Sequence, residues 1–178
     1  MNEYLKNIFR FFIILALQVF VLNRIELRWW SQPTGFPLFV PYLYPVFILL
    51  LPIETPVWAL LLIGFFTGIT VDSFSNTAGM HACATVLIAY LRTNVLNALL
   101  PKALEDYPDQ SPGVKNMGWV PFIVYAGFLL LIHHAIFFTV ELWSFDNRSI
   151  LLLKIFASTV TSLLMVLIYL LLFTKETR

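Results

Sequence analysis

The stretch PVWALLLIGFFTGITVD, residues 56–72, carries no charge until its last residue. It fits a membrane-crossing helix, because a hydrocarbon layer about 30 Å thick takes about 20 apolar residues at a rise of about 1.5 Å each. Within it Gly64, Gly68 and Asp72 fall at i, i+4 and i+8, so two glycines and a carboxylate share one stripe. Small residues at that spacing let a second backbone approach closely, which in lipid replaces the missing hydrophobic drive between helices. A close helical neighbour is therefore expected. Ala78 with Ala82, and Gly79 with Cys83, repeat the spacing in the next apolar segment and make it the natural partner.

Working outward, hydropathy places six spans at 8–25, 36–52, 56–71, 78–91, 119–143 and 150–173. The second to fourth are short, and one of them is open to a re-entrant reading. The whole chain, 1–178, reads as one all-α transmembrane domain. At 60% hydrophobic and 12% charged, with a mean hydropathy of +0.83, it lies far from the roughly 25% charged residues of soluble proteins. No stretch is left for a soluble domain, so function falls to the spans, the short loops and whatever the spans hold.

Lys6 and Arg10 before the first apolar run resemble the start of a signal peptide, but no small-residue cleavage site follows Leu22-Asn23-Arg24. That run is read as a retained anchor. With the N-terminus inside, the inner segments hold Lys6, Arg10, Arg92, Lys102, Lys115, Lys175 and Arg178, and the outer ones Arg24, Arg28, Arg148 and Lys154. Cations are retained on the cytoplasmic side, so both termini are expected there. Trp29, Trp30, Trp58, Trp119 and Trp143 lie near span ends, where indole rings favour the headgroup level. A net charge of +1 gives no reason to expect nucleic acid, and the single cysteine, Cys83, allows no intrachain disulfide.

Pro37, Pro41 and Pro45 recur every four residues in the second span, and each interior proline removes a helical hydrogen bond. That span should be kinked or partly unwound, facing the bundle or a cavity, since free carbonyls at membrane depth need protein or water around them. The turn 52–56 offers Pro56 for the first position of the following helix. Residues 92–100 read as an amphipathic continuation, with Arg92, Thr93, Asn94 and Asn97 on the polar side. The segment 101–118 is the one substantial polar loop, open to reading as a cytoplasmic contact or a solvated linker. Ser158 and Ser162, with Ala157 and Thr161, give the last span a small polar face expected to pack inside the bundle.

Asp72 is the leading polar candidate, either capping backbone donors at its turn or acting chemically. Asp72 and Asp146 on one predicted face raise an intramembrane aspartyl hydrolase, yet Asp146 also reads as a turn residue. His133 and His134 point about 100° apart on a helix and do not readily share one ion, so an interhelical hydrogen bond is the favoured use. No nucleophile elbow, phosphate loop or HExxH occurs in the chain. No catalytic, cofactor or metal residue is therefore assigned.

The segment 41–52, then Gly64-Phe65-Phe66-Thr67-Gly68 with Asp72 four residues on, then Gly79-Met80-His81-Ala82, resembles the bacterial rod-shape-determining membrane protein family MreD. The likeness covers about a third of the chain. It implies a multi-pass protein of the inner (plasma) membrane, a non-enzymatic scaffold that maintains cell shape within the elongation machinery. The partners so implied are the bitopic MreC, the actin-like MreB filament, and RodA with its penicillin-binding transpeptidase. Gly64, Gly68, Asp72, Gly79, Ala82, Pro41 and Pro45 become structural or partner-facing candidates, with Gly64 and Gly68 expected to meet the MreC transmembrane helix. The family is also similar in fold to the substrate-binding membrane subunits of energy-coupling-factor transporters. That makes the alternative a small-molecule-binding subunit with a cavity lined by His81, Asp72, Ser158 and Thr161.

Overall fold

The computed structural model describes residues 3–24, 40–108, 110–142 and 148–173. The expectations placed on Trp29, Trp30, Pro37, Trp143 and Asp146 lie outside these. In chain order the helices are α1 (Glu3–Phe20), α2 (Val46–Leu49), α3 (Val57–Ser75), α4 (Met80–Leu99), α5 (Val114–Met117), α6 (Trp119–Leu142) and α7 (Arg148–Phe173), with 3-10 turns at Leu22–Arg24 and Leu104–Asp106. Among the described residues there is no strand, and five helices are long and apolar enough to cross a membrane. The long helices α3, α4, α6 and α7 pack in sequence order, α3 on α4, α4 on α6 and α6 on α7.

The second expected span, at 36–52, is not a spanning helix in its described part. Residues 40–43 have no regular secondary structure and only Val46–Leu49 is helical. Pro41 and Pro45 explain this, since neither donates a backbone hydrogen bond; Pro45 instead stands just before the first residue of α2. The segment is nonetheless the centre of the molecule: Tyr42, Leu43, Tyr44, Val46, Ile48 and Leu49 are all buried. Irregular backbone in a membrane survives only inside protein, and α1, α4, α6 and α7 supply that surround.

Two boundaries move. Pro56 caps α3 from one residue outside it (φ −65°, ψ 147°), after a turn in which the Thr55 N–H donates to the Pro52 carbonyl at 3.1 Å. Residues 92–99 continue α4 without a break, and Arg92 belongs to its buried side, in line with Ala89 and Leu96. Loop 101–118 folds back on the bundle: Tyr107 and Pro112 are buried, and the Ile53 N–H donates to the Gln110 carbonyl at 2.8 Å.

Candidate functional site: a braced polar core

The glycine stripe of α3 faces α4. A Cβ at Gly68 would lie 2.4 Å from Ala82 Cα and 2.6 Å from Ala82 N, and one at Gly64 would lie 3.2 Å from Ala89 Cβ. The small residues opposite are Ala82, Thr85 and Ala89; Cys83 is exposed instead. The stripe is thus spent within the chain, and it does not offer Gly64 and Gly68 to a partner helix. Gly79 has another use. It precedes α4 at φ +79°, a left-handed conformation that costs a residue with Cβ about 1–2 kcal/mol, while the space around it is open.

Having no side chain, Gly79 cannot cap α4, and Asp72 does so from the preceding helix. Its carboxylate accepts the His81 N–H at 3.0 Å, the Ala82 N–H at 2.9 Å and the Thr77 hydroxyl at 2.6 Å. These amides belong to the first turn of α4, where unpaired donors and the helix dipole both favour an anion. Asp72 therefore caps the next helix while also holding the Thr77 hydroxyl of the turn between them. Asp72→Asn should replace one acceptor oxygen by an NH2 facing an amide donor, lowering stability by about 1–3 kcal/mol. Detergent unfolding followed by circular dichroism checks this, and an unchanged midpoint would contradict the cap.

Around the unwound segment the polar groups form a connected set. Gln18 of α1 accepts the Leu43 and Tyr44 N–H groups through Oε1 (2.7 and 3.2 Å) and donates from Nε2 to the Pro41 carbonyl (3.3 Å). Ser158 and Ser162 of α7 accept the Val40 and Tyr42 N–H groups at 3.1 and 2.9 Å. Ser162 in turn lies 3.2 Å from His134 Nε2, and the other ring nitrogen, Nδ1, donates to the Leu130 carbonyl at 2.7 Å. Because that carbonyl only accepts, Nδ1 carries the proton and Ser162 donates to Nε2.

Tyr44 sits at the crossing of α4 and α6. Its hydroxyl lies 3.0 Å from His81 Nδ1, 2.5 Å from His133 Nε2 and 3.2 Å from Thr85 Oγ1. His133 Nδ1 is buried without a partner. A bare ring acceptor costs less than an orphan donor, which assigns the His133 proton to Nε2, directed at Tyr44 Oη, and the Tyr44 proton to His81 Nδ1. Tyr42 completes the core by ring contact, its centroid 4.9 Å from His81, 5.9 Å from His133 and 5.6 Å from His134.

Two cations that the sequence places in the loop-cation count lie inside the bundle. Arg92 is fully buried; its Nη2 donates to the Leu51 and Pro52 carbonyls just beyond α2, while Nε and Nη1 have no acceptor. Tyr125 adds a bond to the Leu49 carbonyl at 2.9 Å, so α2 ends on two side chains from long helices. Lys154 of α7 is buried against Glu141 of α6, with its ammonium 4.5 Å from the Phe138 ring centre. An ionisable residue placed amid a hydrophobic run was the available signal for both.

Of the polar residues a transporter cavity would use, Asp72, His81 and Ser158 bond to other parts of the chain, and Thr161 donates to the Ala157 carbonyl at 2.8 Å. Among the described residues no group of three or more His, Cys, Asp or Glu is placed to hold a metal ion.

Fold and site together define a helical, multi-pass membrane protein whose interior polar groups brace an unwound segment. No protein-family model, no curated protein and no solved structure matches the chain.

Proposed function

We propose that this protein is a non-enzymatic scaffold of the bacterial cell-elongation complex, in the inner membrane with both termini cytoplasmic. In this reading it binds the transmembrane helix of MreC and helps position sidewall peptidoglycan synthesis by RodA and its transpeptidase, in register with MreB. The resemblance of segments 41–52, 64–72 and 79–82 to MreD supplies the partners. The observation that carries the reading is the commitment of Asp72: its two oxygens take three donors from the following turn and helix, leaving the best-placed carboxylate for holding structure. Arg92 and Lys154, buried in the bundle, drop out of the loop-cation count. One leaves each side, so the bias toward cytoplasmic termini keeps its sign.

Since α4 covers Gly64 and Gly68, the MreC contact in this proposal lies on lipid-facing side chains. Photo-crosslinking residues placed in native membranes at Leu62 and Phe65 of α3 and at Leu153 and Leu164 of α7, all exposed, test it. The expected result is a crosslink to MreC from one helix face and copurification of MreC with the chain. Neither crosslink nor copurification, or a vitamin-like small molecule other than a phospholipid retained stoichiometrically through gentle purification, would overturn the reading; the second result would favour the transporter subunit.

A further inference from the structure

Helix α1 is buried chiefly along its C-terminal half, while nearer its N-terminus Phe11 packs on Phe47 with ring centres 5.0 Å apart. Ile14, Leu15, Gln18 and the following Leu22 are buried, whereas Ile8, Phe9 and Phe12 are exposed. At that C-terminal end α1 and α3 are tied together: Gln18 Nε2 donates to Asn23 Oδ1 at 2.8 Å and Asn23 Nδ2 to Ser75 Oγ at 3.0 Å. The Phe20 and Phe74 rings stand 6.5 Å apart beside these bonds. Toward the N-terminus of both helices the two part, leaving a crevice of about 570 Å³. Ile8 and Phe12 form one wall, Ile63 and Phe66 the other, and Phe47 and Leu51 the floor.

The depth of the crevice says what fits it. Its lining runs from Thr55, in the turn before α3, to Thr67. Thr67 lies ten residues into the helix from Val57, about 15 Å at the α-helical rise, which is half of a hydrocarbon layer of about 30 Å. A partner's spanning helix needs a seam through the whole thickness, but this one closes at mid-depth. An acyl chain reaches from the headgroups to the midplane, the same distance. The wall is chemically suited to it as well: the Thr55 and Thr67 hydroxyls donate to the Pro52 and Ile63 carbonyls, both at 2.7 Å, so neither is left to the occupant. Asn7, the remaining polar lining residue, belongs to the N-terminal half of α1 that the crevice separates from α3.

We infer that the crevice holds the acyl chain of one phospholipid, drawn from the leaflet on the side of the α1 N-terminus, as a bound lipid distinct from the surrounding bilayer. Chain and wall are equally apolar, so the selectivity is one of shape and close packing.

The test uses the purified full-length chain in vesicles of phosphatidylcholine and phosphatidylglycerol containing a trace of phospholipid with a diazirine midway along one acyl chain. After illumination, adducts at Phe47, Leu51 and Ile63 should exceed those on the exposed α7 residues Leu153, Phe156 and Leu164 about tenfold, the ratio that about 1.4 kcal/mol of preferential packing gives. Ile63→Trp, which fills the crevice, should bring its labelling down to the α7 level while α7 labelling stays as it was. Ile8→Trp, from the exposed opposite wall, does the same where the first variant fails to insert. Labelling that is equal in crevice and α7 face overturns the inference, as does capture of a protein helix by a photo-reactive residue in place of Ile63. The lipid-labelling ratio is read on the purified chain alone, so it does not depend on whether MreC binds.

Discussion

Gly68→Ala should cost this protein more stability than the same change at either of the other helical glycines, Gly64 and Gly127. The added Cβ would stand 2.4 Å from Ala82 Cα, 2.6 Å from Ala82 N and 2.8 Å from His81 C. Carbon contacts settle at about 3.5–4.0 Å, so the helices must separate by about 1 Å or more. All three obstacles are backbone, and no side-chain rotation relieves them. The strain also reaches Asp72, whose carboxylate holds the amides of those same two residues. Overpacking costs about 1–3 kcal/mol, and a weakened cap adds about 1 kcal/mol. At Gly64 the new methyl would meet Ala89 Cβ at 3.2 Å and Thr85 O at 3.3 Å, a milder crowding. At Gly127 it would find only Leu163 Cδ2 at 3.6 Å, an ordinary contact. Because alanine is the better helix former by up to about 1 kcal/mol, Gly127→Ala should be neutral or stabilising. Unfolding midpoints of the three variants in one detergent should fall in the order Gly127→Ala, Gly64→Ala, Gly68→Ala. A Gly68→Ala protein as stable as the parent would mean that α3 and α4 do not approach as closely as described.

That pair of helices was legible because its cause is local. Spacing of four in Gly64, Gly68 and Asp72 projects a stripe whatever the rest of the chain does, and Ala82 opposite had the matching size. The unwound segment was legible for a similar reason, since Pro41 and Pro45 remove donors wherever they stand. What holds that segment was not. Gln18 lies 25 residues before Leu43, and Ser162 lies 120 beyond Tyr42, so the pairing exists only after α1 and α7 have closed around the core. Ser158 and Ser162 could be read as an inward polar face, but not as acceptors for non-helical backbone. For Arg92 charge and periodicity point opposite ways, and periodicity wins: its neighbours on the buried face are Ala89 and Leu96. The carbonyls that receive it belong to Leu51 and Pro52, some forty positions earlier. Tyr44 carries a fainter signal, since a buried tyrosine needs a partner for its hydroxyl and His81 and His133 supply one only once α4 and α6 have packed.

Gln18→Leu is the sharper test of that core, because it preserves size and apolar fit while removing the groups that hold the segment. Leucine leaves the Leu43 and Tyr44 N–H groups without their acceptor and the Pro41 carbonyl without its donor, all inside the bundle. Each buried orphan costs about 1–3 kcal/mol, and no water stands ready at membrane depth to take over. Two amides alone bring the expected loss to several kcal/mol, a large share of a typical total of about 5–15 kcal/mol. Gln18→Glu should lose less, since its carboxylate still accepts both amides and forfeits only the bonds to Pro41 and Asn23, although a further charge must then be buried. Ser158→Ala and Ser162→Ala remove one acceptor each and should fall between the parent and Gln18→Leu. Hydrogen exchange adds a readout that bulk unfolding lacks: in the leucine variant the amides of Leu43 and Tyr44 should exchange faster than those of Ile48 and Leu49, which belong to α2 and keep their surroundings. Should both amides stay protected and the unfolding midpoint hold, the segment draws its order from packing of Tyr42 and Tyr44 against the histidines, and the side-chain acceptors are incidental.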